Sequence, residues 1–160
     1  RRYGDKLLAA DGFENAELAP AFGAVGSYRL ADGMAYLDPG SFLSVGPLPL
    51  GATSGLEIMW TAQRGSLKLS LVLANGKRLV VSDSGFVAID GTRAASLSIT
   101  PGLPVQLQWL DGQLRLQSGT SSVEIPCPVY AGGSAIVFAA DGSDRLVLDS
   151  LAVALKDSSR

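Results

Sequence analysis

Gln106, Gln108, Gln113, Arg115 and Gln117 stand at alternate positions on the two arms of a hairpin-like segment. Glutamine amides and a guanidinium at that spacing can give paired hydrogen bonds to hydroxyls or carboxylates. Directly opposed side chains on paired strands lie ~5 Å apart, so the set would form one continuous donor and acceptor surface. Gln106, Gln108, Arg115 and Gln117 are therefore the candidate ligand-binding residues, with Lys68 and Glu57 extending the surface. The plain alternative is a solvated sheet face.

The acids offer less. Cleaving a glycosidic bond normally takes two carboxylates ~5 to 9.5 Å apart, which on a strand means acids at i and i+2 or on neighbouring strands. Glu57 and Glu124 have no acid within two positions, and most aspartates sit in Asp-Gly or Asp-Pro turns that local hydrogen bonding already explains. No catalytic residue is assigned. Asp141 and Asp144, in Asp141-Gly142-Ser143-Asp144, are the metal candidates, and calcium is the ion such a turn would take. Calcium prefers about six to eight oxygens, so Asp38 or Asp149 would have to join them, and turn chemistry alone is the competing explanation. No other cofactor is expected.

The chain contains no histidine, which removes the commonest general base and zinc ligand and excludes Ser-His-Asp and Cys-His chemistry. Cys127 is the only cysteine, so no internal disulfide forms; flanked by Pro126 and Pro128, it reads as a small buried thiol. Trp60 and Trp109 could stack on sugars, but each shares a strand face with Leu, Ile or Val, which predicts core positions.

These residues are positioned by a meander in which apolar side chains recur at every second position. Leu56, Ile58, Trp60 and Ala62 share one face, with Glu57, Met59, Thr61 and Gln63 opposite. Leu67, Leu69, Leu71 and Leu73 face inward before Asn75-Gly76, a strong hairpin signal whose second arm is Lys77 to Ser82. Val105, Leu107 and Trp109 precede the Asp111-Gly112 turn and Leu114 and Leu116 follow it. Earlier strands are expected at Val25 to Leu30, Met34 to Leu37 and Ser41 to Val45, and the Gly46 to Gly51 segment, with two prolines, as a crossing between sheets. Closing strands are expected at Ala135 to Ala140 and Arg145 to Leu155, with a bulge near Ser150. No segment sustains a helical period, so the fold class is all-β, an antiparallel two-sheet sandwich, although a closed barrel would show the same alternation.

Composition agrees with a single such domain. The chain has 160 residues, of which 47% are hydrophobic and 18% charged, enough for one proper core. Residues 1–11 read as a lead-in, by a helical turn or a strand, 12–155 as the domain and 156–160 as a tail. Net charge is −2 with dispersed basic residues, which argues against nucleic acid. No stretch approaches the ~18 to 20 apolar residues of a membrane span. A start at Arg1-Arg2 rather than methionine fits a domain of a longer polypeptide or one that has lost a leader.

Phe13-Glu14-Asn15, Gly55 to Trp60, the hairpin Leu71 to Gly76, Pro104 to Gly112 and Asp144 to Leu151 follow one another in an order that resembles the concanavalin A-like, or laminin-G-like, jelly-roll superfamily over residues 12–155. The resemblance implies a jelly roll acting as a non-catalytic recognition module. It would bind carbohydrate or a protein partner at the cell surface, in an extracytoplasmic setting. Two departures stand out: the chain lacks the Glu-x-Asp-x-x-Glu triplet of the superfamily's glycoside hydrolases and the rim ligand cluster of calcium-binding laminin-G modules. A carbohydrate-active enzyme, hydrolase or lyase, of the same fold and a structural domain that pairs through its edge strands remain the alternatives.

Overall fold

Each run of alternating apolar and polar residues becomes a strand, because only the extended backbone puts every second side chain on one face. The computed structural model describes residues 4–49, 54–83, 85–110 and 112–157. The first half contains β1 (Gly4–Asp11), β2 (Gly23–Val25), β3 (Tyr28–Ala31), β4 (Met34–Leu37), β5 (Phe42–Val45), β6 (Ser54–Arg64), β7 (Ser66–Val72) and β8 (Arg78–Ser82). The second half contains β9 (Phe86–Ile89), β10 (Thr92–Ser96), β11 (Val105–Leu110), β12 (Gln113–Ser118), β13 (Ser121–Pro126), β14 (Ile136–Asp141) and β15 (Leu146–Asp157). No helix forms among the described residues, and so none is long and apolar enough to cross a membrane.

The strands make two antiparallel sheets. The first runs β13-β12-β11-β6-β15-β4-β3, with β1 also paired to β15; the second runs β10-β9-β8-β7-β14-β5-β2. Their leucine rows meet in the layer between them. Leu56, Ile58, Trp60, Leu107 and Trp109 of the first sheet and Leu67, Leu69, Leu79, Val81 and Phe138 of the second are all buried in one cluster. Both tryptophans are core residues, as their alternation requires, at 1% and 2% exposure. Trp109 donates its indole N–H to the Pro128 carbonyl at 3.1 Å, whereas the Trp60 indole nitrogen is buried without a partner among the described residues. Cys127 is buried, and desolvation pushes its thiol above the ordinary range.

Two local features depart from the expectation. The segment from Val25 to Leu30 is not one strand: β2 pairs with β5 in the second sheet and β3 with β4 in the first. The chain changes sheets at Gly26, whose φ of 95° is open to glycine, and where a Cβ would lie 2.5 Å from Ser41 Oγ. That hydroxyl holds the crossing, accepting from Ser27 N–H at 2.8 Å and donating to the Ser27 carbonyl at 2.9 Å. β9 and β10, joined at Asp90-Gly91, are strands not anticipated from the sequence. Residues 4–11 take the strand of the two readings offered for the lead-in, and this strand pairs with β15 as far as Asp157. The bulges expected near Ser150 are present: the β15–β6 register shifts on both sides of Leu148.

Candidate functional site

The outward positions of the first sheet line up in two rows that the register fixes. One runs Ala154, Glu57, Gln108, Arg115, Glu124 across β15, β6, β11, β12 and β13; the other runs Ala152, Met59, Gln106, Gln117, Ser122. All four sequence-predicted ligand residues are thereby brought onto one face, Gln108 opposite Arg115 and Gln106 opposite Gln117. Asp111 lies outside the described residues; on either side of it Leu110 pairs with Gln113. Lys68 is placed elsewhere, on β7 of the other sheet.

Glu57 organises this face. Its Oε2 accepts hydrogen bonds from Gln106 Nε2 at 2.5 Å and Gln108 Nε2 at 2.7 Å. The two amides are drawn toward β6 and held there, which spends donors and fixes the orientation of their carbonyl oxygens. Arg115, on the far side, is exposed and makes no ion pair among the described residues. The arrangement presents ordered amide groups beside a free guanidinium, a combination suited to ligand hydroxyls.

Next to Gln106 the face dips into an open hollow of about 400 Å³ lined by Ala10, Asp11, Met59, Thr61, Pro104 and Ala152, among others. Met59 is 43% exposed at its floor. Asp11 borders it but is fully engaged: its two carboxylate oxygens accept from Phe13 N–H and Ala19 N–H, both at 2.7 Å, and so pin the 12–19 loop. Sequence reasoning missed this hollow, although alternation already placed Met59 on the outward face.

The aspartates of the rim are not gathered. Asp141 ends β14, where its charge helps to raise the Asp83 carboxyl, while Asp144 lies exposed in the following turn. Of the two further ligands that calcium would need, Asp38 is bound by Arg145 Nε at 2.9 Å and Asp149 accepts from Gln63 Nε2 at 3.4 Å. Among the described residues no group of three or more His, Cys, Asp and Glu could hold a metal ion. Asp38 is held below the ordinary carboxylate range, first by a hydrogen bond from Ser27 and then by Arg145. Asp83 is pushed above it because desolvation outweighs the hydrogen bonds that its Oδ1 accepts from Leu67 N–H at 2.8 Å and the Ser66 hydroxyl at 2.9 Å.

Beside Asp38 a second cleft, of about 390 Å³, is lined by Tyr36, Asp38, Arg64, Ser143, Arg145 and Val147. The register that builds it runs Arg29, Tyr36, Val147, Arg64 across β3, β4, β15 and β6. Simple alternation would put Arg64 on the same face as Ala62. The irregularity between Val147 and Leu148 rotates it outward instead.

No protein-family model and no curated protein sequence matches the chain. Solved structures do. The CBM2 module of the evolved Dit protein of Lactobacillus casei BL23 phage J-1 aligns over 100% of both chains with a TM-score of 0.65 at 11% identity. The carbohydrate recognition domain of Emp47p aligns over 96% of this chain and 98% of that one, with a TM-score of 0.67 at 11% identity. The exoplasmic/lumenal domain of VIP36, in a form bound to Ca²⁺ and Man3GlcNAc, aligns over 96% and 89%, with a TM-score of 0.60 at 11% identity. With the two antiparallel sheets already described, these likenesses establish the fold as a two-sheet jelly-roll sandwich.

Proposed function

We propose that this domain is a non-catalytic carbohydrate-recognition module that holds its glycan on the outward face of the first sheet, between Arg115 and the Met59 hollow. The observation that carries the reading is the pair of glutamine amides ordered by Glu57 beside an apolar depression. A sugar presents hydroxyls in a fixed array and an apolar C–H face, and these two surfaces meet those two needs side by side. Preordered side chains also reduce the entropy lost on binding. The carbohydrate recognition domain of Emp47p and the Man3GlcNAc-bound form of VIP36 among the similar folds support the ligand class, and the phage module and exoplasmic domain support an extracytoplasmic setting. The chain has no histidine, and Glu57 on this face is committed to its two glutamines, which supports binding over hydrolysis.

A glycan array probed with the whole domain tests this, followed by the Arg115→Ala/Gln117→Ala double variant. Those two side chains make no hydrogen bond among the described residues, so each substitution should cost less than about 0.5 kcal/mol in stability while binding of the array hit is lost. Undiminished binding by a folded double variant would remove the site from this face.

A further inference from the structure

We infer that the Arg64–Arg145 cleft is a separate anion-binding subsite that takes the carboxylate or sulfate of an acidic glycan, an inference that rests on the carbohydrate reading above.

The argument starts from charge. Three guanidiniums, Arg29, Arg64 and Arg145, converge on this end of the first sheet, and among the described residues the single carboxylate lining the cleft is Asp38. Asp38 is spent: it takes a hydrogen bond from Ser27 and the Nε of Arg145. That contact leaves the terminal nitrogens of Arg145 without a partner among the described residues, and orients them by fixing the inner edge of the fork. Arg64 makes no ion pair or hydrogen bond among the described residues. Asp144 and Asp149 are near in sequence but do not line the cleft, and Asp149 is held by Gln63.

Shape and chemistry then narrow the ligand. Arg29 sits with its guanidinium carbon 5.1 Å from the centre of the Tyr36 ring, so the ring is braced by a cation on the β3 side. Tyr36 and Val147 supply apolar lining, and Ser143 a hydroxyl. Two guanidiniums with apolar lining favour a planar or tetrahedral oxyanion carried on a ring over a bare hydrated ion. The volume of about 390 Å³ accommodates one substituted sugar residue rather than a long chain.

The decisive experiment titrates the whole domain with a galacturonic acid trisaccharide, its methyl ester, and a sulfated galactose oligosaccharide, by calorimetry at low and at physiological salt. The acid should bind at least about tenfold more tightly than its ester, with an advantage that shrinks as salt rises. Binding of the sulfated compound alone would assign the anion as a sulfate ester, and binding of both would show that the charge is what matters. Arg64→Gln should reduce the acid's affinity by about tenfold, with Arg64→Lys retaining part of it and both variants melting as the parent does. Equal binding of acid and ester, no binding of either anion, or acid binding indifferent to Arg64→Gln would each overturn the subsite. The Arg115→Ala/Gln117→Ala variant separates the two readings. Loss of neutral-glycan binding there with anion binding intact keeps both. Failure of the neutral glycans everywhere, with the anions still discriminated, removes the sheet-face reading and leaves the cleft.

Discussion

Glu57→Ala removes the acceptor that holds Gln106 and Gln108 and so tests whether the outward face is an ordered structure or a set of independent side chains. A hydrogen bond to an ionised group contributes about 1.5–3 kcal/mol when well buried. Both bonds here end on one oxygen of a half-buried carboxylate, and water can reach the freed amides, so the pair together should contribute about 1.5–2.5 kcal/mol. The single substitution also removes whatever else Glu57 touches, so the quantity to measure is a coupling. A cycle of wild type, Glu57→Ala, Gln106→Ala/Gln108→Ala and the triple variant isolates it. Urea unfolding followed by tryptophan emission suits the purpose, since Trp60 and Trp109 are both buried and report loss of the core. A coupling below about 0.5 kcal/mol would show that the short contacts contribute nothing to order, and the preordering argument for glycan binding would fall with it.

Three further outcomes are expected. With its folded carboxyl raised by burial, Asp83 contributes stability that is fully present below pH 3.8 and lost as pH rises through the folded value; Asp83→Asn, which keeps the Oδ1 acceptor, should abolish that decline, and an unchanged pH profile would refute the burial argument. Trp109→Phe should cost about 0.5–1.5 kcal/mol more than Trp60→Phe, because only Trp109 gives up a hydrogen bond, to the Pro128 carbonyl; equal losses in chemical denaturation would contradict this. Saturating calcium should leave the melting temperature unchanged, given that Asp38 and Asp149 are engaged elsewhere, and a calcium-dependent rise abolished by Asp144→Ala would restore a metal role to the Asp141–Asp144 turn.

Alternation made most of the fold legible. The period of two in Leu67 to Leu73 and in Val105 to Leu116 fixes both faces of three strands, and the outward set Gln106, Gln108, Arg115 and Gln117 follows from it directly. What alternation cannot encode is a change of sheet in mid-run or a bulge. Gly26 redirects an apparently continuous strand because Ser41, fifteen residues later, packs against it and binds Ser27. Arg64 joins the Tyr36 cleft through an irregularity produced by the pairing of β6 with β15, far along the chain. The Glu57 clamp lies between these cases. Its partners could be listed from the sequence, but their convergence depends on β11 pairing with β6, a choice made by the whole sheet.

β15 pairs on one side with β6 and on the other with both β4 and β1, so the β1, β3 and β4 group joins the β6 to β13 group only through it. During synthesis this means that strands made first must wait for the last to be made. Until Leu146 to Asp157 leaves the ribosome, β6 and the pair β4 and β1 each carry an open hydrogen-bonding edge and an uncovered apolar face. Folding of the first sheet is thereby deferred to the end of translation of this segment, when a single insertion closes both edges at once. Any lesion that delays or shortens β15 would expose two edges rather than one, turning a local defect into a route to aggregation.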